Sequence, residues 1–95
     1  MIRSFRSDVE QDVFNGRSTK AGRRFASVWK VARRKLEMLD SARTLADLRA
    51  VPGNRLEALR GNRQGQYSIR INDQYRVAFR WTPEGPEDVE ITDYH

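Results

Sequence analysis

Two hydrophobic periods divide this chain. Before Asn54, apolar residues recur at intervals of three and four; after it, they alternate with polar ones. The strongest helical signal is Phe25, Val28, Trp29, Ala32, Leu36 and Leu39, one stripe at i, i+3, i+4, i+7, i+11 and i+14. It predicts an amphipathic helix over residues 18–40, with Gly22 as an alternative start and Trp29 as a core residue. Upstream, Ile2–Phe5 alternates like a short first strand, and Asp8–Phe14 reads as two helical turns stopped at Asn15–Gly16. Downstream, Thr44 opens another helix. Its hydroxyl can take the amide of Asp47, and Asp47 can answer in a weak capping box. Leu45 and Leu48 then point inward, and Val51–Asn54 ends the helix.

The second half predicts strands. Residues 55–59 form one, broken between Gly61 and Gly65. Tyr67, Ile69 and Ile71 alternate with Ser68, Arg70 and Asn72, and a turn at Asn72–Asp73 follows. Tyr75, Val77, Phe79 and Trp81 alternate with Arg76, Ala78 and Arg80; Thr82–Pro86 turns the chain into Val89–Thr92. This order predicts a single α+β domain over residues 1–95, two to three N-terminal helices packed on one face of an antiparallel sheet. Ile69, Ile71, Val77, Phe79, Val89 and Ile91 would meet the helices. Arg70, Arg76, Arg80, Glu90 and Tyr94 would line the other face, open to a ligand.

Composition narrows the chemistry. With no cysteine, disulfide staples and thiolate zinc sites are excluded, and one histidine, His95, speaks against a metal cage. No metal or cofactor is expected. No apolar run approaches the roughly 20 residues that cross a bilayer, and the opening residues lack a signal-peptide core. The expected setting is the cytoplasm, with no membrane partner. The net charge is +5, and 15 of the 18 basic residues are arginine, the side chain that grips phosphate with two parallel bonds. Eight of these cations fall between Val13 and Leu36, a stretch without one acidic residue. From Trp81 onward there are five acidic residues and no cation. Such a balance points to an anionic partner.

The run Gly53–Gly61, the segments Gln66–Asn72 and Tyr75–Trp81, the opening Met1–Phe5 and the closing Asp88–His95 together resemble the HigB or "killer protein" branch of the RelE/ParE toxin superfamily. The resemblance runs through nearly the whole chain, in order. It implies a helical layer on a curved antiparallel sheet, and a toxin of a type II toxin–antitoxin system. Such toxins bind the ribosome decoding site and cut the messenger RNA there, acting as metal-independent endoribonucleases. It further implies neutralisation by a helix-turn-helix, HigA-type antitoxin, through which alone operator DNA would be contacted. The ParE branch of the same fold, which inhibits DNA gyrase without cutting RNA, is the alternative.

Metal-free cleavage needs the ribose 2′-hydroxyl deprotonated, the phosphoryl charge balanced and the leaving 5′-oxygen protonated. On the resemblance, Arg76 serves the phosphate, against a structural ion pair with Glu57 or Glu90. His95, beside Asp93, is the candidate general acid. Tyr94 stacks on a base or holds the phosphate, Asp93 orients His95, and Arg60 is a further basic residue of the site. Some family members carry a histidine where this chain has Glu57, which leaves Glu57 as a general base or as a structural partner of Arg76. Lys20, Arg23, Arg24, Arg33 and Arg34 on the helices, with Arg63, Arg70 and Arg80, are expected to hold RNA phosphates. The helical cations serve equally well for an acidic antitoxin segment.

Overall fold

The computed structural model describes residues 1–93; Tyr94 and His95 lie outside the described residues. Three α-helices precede a four-stranded antiparallel sheet: α1 (Asp8–Phe14), α2 (Trp29–Ser41), α3 (Leu45–Arg49), then β1 (Glu57–Ala58), β2 (Gln66–Arg70), β3 (Tyr75–Thr82) and β4 (Gly85–Asp93). The strands follow one another in sheet order, a plain meander. Leu36, Leu39 and Ala32 of α2, with Leu48 and Val13, close over Ile69, Val77, Phe79, Val89 and Ile91. The α+β expectation, with helices on one face, therefore holds.

The expected helix over residues 18–40 is broken in two. A 3-10 turn covers Ala21–Phe25, and α2 starts only at Trp29. Val28 between them has φ −126° and ψ 4°, outside the helical well. The break lets Phe25 drop into the core, 1 % exposed, with its ring edge-on to Tyr75 at 5.4 Å. It also strands Trp29 at the surface, 40 % exposed, against the expectation of a core residue.

Residues 2–5 do not form a strand of their own. They run beside β4 through one parallel bridge, Phe5 with Val89, because β4 carries an irregularity there. Asp88 takes a left-handed φ of +53°, and its amide is held by the Ser4 hydroxyl at 2.9 Å. Glu10 of α1 secures the same edge. Its carboxylate is 2 % exposed, takes the Ser7 hydroxyl and accepts the Ile91 amide at 3.0 Å.

The strand expected over 55–59 shrinks to two residues because the turn before it is pinned. Asn54 has no exposure. Its Oδ1 accepts the Lys35 ammonium at 2.6 Å, and its Nδ2 donates to the Leu48 carbonyl at 3.0 Å. Arg55, next along, is left-handed at φ +44°, so pairing begins only at Glu57. Lys35 lies on the flank of α2 turned toward this turn, 8 % exposed. Burial, and then the nearby charges of Arg34 and Arg70, hold its pKa below the ordinary 10.5.

The capping box at α3 forms as expected. Thr44 Oγ1 accepts the Asp47 amide, and Asp47 Oδ2 accepts the amides of Thr44 and Arg43. Those backbone bonds hold the Asp47 carboxyl below its usual 3.8.

Three outcomes follow from these contacts. Asn54→Leu leaves a buried ammonium and a buried carbonyl without partners, and should lower unfolding free energy in urea by about 3 kcal/mol; a loss under about 0.5 kcal/mol would refute the assignment. Lys35 is harder to protonate in the folded chain than in the unfolded one. Its contribution is therefore least favourable below the folded midpoint and improves as pH rises from there toward 10.5. The stability difference between the native chain and Lys35→Met should grow more favourable to the native chain across that window, and a flat difference would contradict it. For Asp47 the slope has the same sign, from a bond gained rather than a cost relieved: its stabilisation is present above 3.8 and disappears as pH falls through the lower folded midpoint. The amide resonances of Arg43 and Thr44 should report that midpoint in an NMR titration and lose the transition in Asp47→Asn.

Candidate active site on the polar face of the sheet

Residues paired across an antiparallel ladder share a face. The registers therefore build the polar face in rows. Arg70, Arg76 and Thr92 form one; Glu57, Ser68, Ala78 and Glu90 form the next; Gln66, Arg80 and Glu87 form a third. Arg76 sits opposite Arg70, a like-charge pair that needs anions and acceptors nearby.

Arg76 finds them by reaching diagonally across β2. Its Nε donates to Ser68 Oγ at 2.7 Å, and its Nη2 donates to the Arg55 carbonyl at 2.6 Å and to the Ser68 carbonyl at 3.3 Å. Glu57 Oε2 stands 3.9 Å from the same Nη2. The left-handed turn at Arg55 is what aims its carbonyl at the guanidinium. As a result Arg76 is only 6 % exposed. This corrects the expectation of an open arginine surface: the chain leading into β1 covers this arginine, and the guanidinium edge that would grip phosphate side-on is engaged internally. Glu57, by contrast, keeps about half its side chain in solvent. The ion pair with Glu57 is present; no pairing of Arg76 with Glu90 is needed, since Glu90 is taken by others.

Glu90 accepts Arg63 Nη2 at 2.8 Å and lies 3.6 Å from Arg6 Nε. Arg63 also donates to Gln66 Oε1 at 3.1 Å. Arg70 pairs with Asp73 in the turn between β2 and β3. Arg80 is half-buried, and its Nη1 lies where a side chain at Gly65 would need to be. Arg60 is exposed where the chain leaves β1. Asp93 pairs in register with Tyr75, on the helix-facing parity, and accepts Gln74 Nε2 at 3.2 Å. Its side chain is thus on the opposite face from Arg76, as its parity predicts. Tyr94 and His95 fall outside the described residues.

The eight expected phosphate-binding residues divide between two sides. Arg63, Arg70 and Arg80 belong to the sheet's polar side, whereas Lys20, Arg23, Arg24, Arg33 and Arg34 belong to the helical layer. Lys20, Arg23, Arg24 and Arg34 are exposed there, with Arg24 lying over the Phe25 ring at 4.6 Å. Arg33 is more committed: it donates to the Phe14 carbonyl at 3.2 Å and lies 3.4 Å from Glu37. Sequence reasoning missed Ser68, Asn54 and Lys35. Ser68 carried a usable signal, a small hydroxyl on the polar parity directly before the arginine-bearing row. Lys35 carried one in its phase, seven residues after Val28 and four before Leu39, at the edge of the apolar stripe.

No helix of the described residues is long and apolar enough to cross a membrane. Comparison with known proteins places this geometry in a lineage. A family model for the RelE-like toxin HigB of type II toxin–antitoxin systems matches residues 3–95. Toxin HigB-1 of Vibrio cholerae serotype O1 is 58 % identical over 48 residues, which is 50 % of this chain and 50 % of that protein. An uncharacterized protein of Haemophilus influenzae is 39 % identical over 56 residues, 59 % of this chain and 55 % of that one. The chain thus spans about half the length of the curated relatives it matches. With the family match running through all four strands and all three helices, the chain belongs to the HigB-like family of RelE-like toxins of type II toxin–antitoxin systems.

Proposed function

We propose that this chain is a toxin that cuts messenger RNA in the ribosome decoding site and is neutralised by a HigA-type antitoxin. The observation that carries the reading is the half-exposed Glu57 carboxylate, 3.9 Å from a guanidinium rigidly held behind it. A solvent-facing carboxylate within reach of a ribose 2′-hydroxyl can take its proton. The 2′-oxygen then attacks phosphorus, the bond to the 5′-oxygen breaks, and a cyclic phosphate and a 5′-hydroxyl remain. Arg76 contributes positive potential to the developing phosphoryl charge from beneath, rather than as a two-bond clamp. His95 gives a proton to the leaving oxygen, and Tyr94 and Asp93 position it. Arg60, exposed next to β1, and Arg80 hold flanking phosphates. The reaction as drawn involves no metal.

The burial of Arg76 is also the observation that favours the competing reading, a gyrase inhibitor of the ParE kind in which this arginine is purely structural. Purified ribosomes carrying a defined messenger separate the two. Glu57→Gln and removal of His95 should each slow cleavage by about 10²–10⁴-fold, with circular dichroism spectra and melting temperatures unchanged. Full cleavage by both variants removes these residues from the mechanism. An uncut messenger, together with DNA breakage on expression in growing bacteria, replaces the nuclease reading with the gyrase one.

A further inference from the structure

We propose that a cavity on the helical layer is a docking pocket for an acidic segment of a partner protein that carries one bulky apolar side chain. The cavity, about 310 Å³, opens between the end of α1 and the start of α2. Val13, Ala26 and Trp29 give it an apolar wall, and Arg17 and Arg23 stand in its lining. Trp29 is one of two large hydrophobic residues exposed among the described residues, and unlike Met1 it flanks a cavity. An exposed aromatic beside a concave apolar surface is the arrangement in which interface anchors are buried.

The lining carries two cations, Arg17 and Arg23, and no carboxylate. Its rim belongs to the stretch from Val13 to Leu36, with eight cations and no acidic residue. Arg17 is 70 % exposed at its side chain, and the nearest carboxylate, Asp12, is 3.9 Å away, a loose surface pair that an incoming acid can replace at little cost. Complementary charge would orient and accelerate docking, while the apolar wall supplies affinity. The Thr19 hydroxyl in the lining accepts the Gly22 amide at 3.1 Å, which turns that acceptor inward. An aliphatic or aromatic side chain fits the wall better than a base edge does. The pocket is on the helical layer and Glu57 and Arg76 are on the opposite side of the sheet, so the inference does not rest on the nuclease reading.

The test uses the full chain carrying Trp81→Phe, which leaves Trp29 as the single indole. Three labelled probes are titrated: a short Glu/Asp peptide with one central leucine, the same peptide with alanine in its place, and a single-stranded oligoribonucleotide of equal charge. The leucine peptide should bind saturably by anisotropy, about tenfold or more tighter than the alanine peptide, and shift Trp29 emission. Ala26→Gln, which fills the cavity from an exposed position, should abolish the leucine advantage. Arg23→Glu should weaken both peptides about tenfold, with melting temperatures of both variants unchanged. Equal binding of the two peptides, no saturable binding, or a leucine advantage surviving Ala26→Gln would overturn the proposal. So would an oligoribonucleotide that displaces the leucine peptide and shifts Trp29 emission more strongly, which would assign the pocket to nucleic acid.

Discussion

Two buried cations, Lys35 and Arg76, are held by one short turn, and the site takes its shape from that arrangement. A charge removed from water is tolerable only where acceptors replace the water it lost. Asn54 supplies the acceptor for Lys35 through its side chain, and Arg55 supplies one for Arg76 through its carbonyl. Adjacent residues thus face opposite layers, one toward α2 and one toward the sheet. The left-handed backbone at Arg55 makes this possible, because it reverses the direction of the carbonyl within one residue. Glu57 reaches its place beside Arg76 as a consequence of where this turn releases the chain.

The arginines differ in how far they are committed. Arg76 is locked within the sheet, and Arg63 and Arg70 are paired with Glu90 and Asp73. Exposed pairs of this kind add little to stability, so their arrangement matters more for the local potential than for folding. The helical layer instead presents Lys20, Arg23 and Arg34 at an exposed surface. A net charge of +5 carried largely by such groups favours rapid encounter with anionic partners, with salt weakening it. The molecule therefore has two cationic surfaces of different character: one rigid and partly internal, one open.

Much of this was legible in the chain. The period-two alternation located β2, β3 and β4 and assigned Ile69, Val77 and Ile91 to the core face; the spacing around Asp8 gave α1 its observed limits. The capping box at Thr44 was readable because it lies within four consecutive positions and depends on nothing distant. What escaped involved segments far apart in sequence. Parity placed Arg76 on the polar face, yet parity says nothing about residue 55 folding over it. The apolar stripe from Phe25 to Leu39 resembled one helix, because a break that keeps Phe25 buried leaves the spacing unchanged. Ser7 and Glu10 have capping-box spacing, but Glu10 turns inward to the Ile91 amide, a partner that no local pattern announces.

The edges of the sheet explain why recognition falls to its faces. An open edge strand invites pairing with another chain, and this fold blunts both edges. At one, β1 is only two residues long. At the other, residues 3–6 bond to β4 through Arg3 with Pro86, Val89 with Ser4, and Arg6 with Val89. The closeness of that cover is visible at Gly85, φ +131°, where a Cβ would lie 2.1 Å from the Met1 carbonyl oxygen. Asp88 kinks β4 at the same place, so the covering segment makes one bridge instead of extending the sheet. With strand addition discouraged on both sides, a partner must use side chains. The two surfaces proposed for this, the polar face around Glu57 and the helical layer around Trp29, lie on opposite sides of the sheet, so occupation of one would leave the other open.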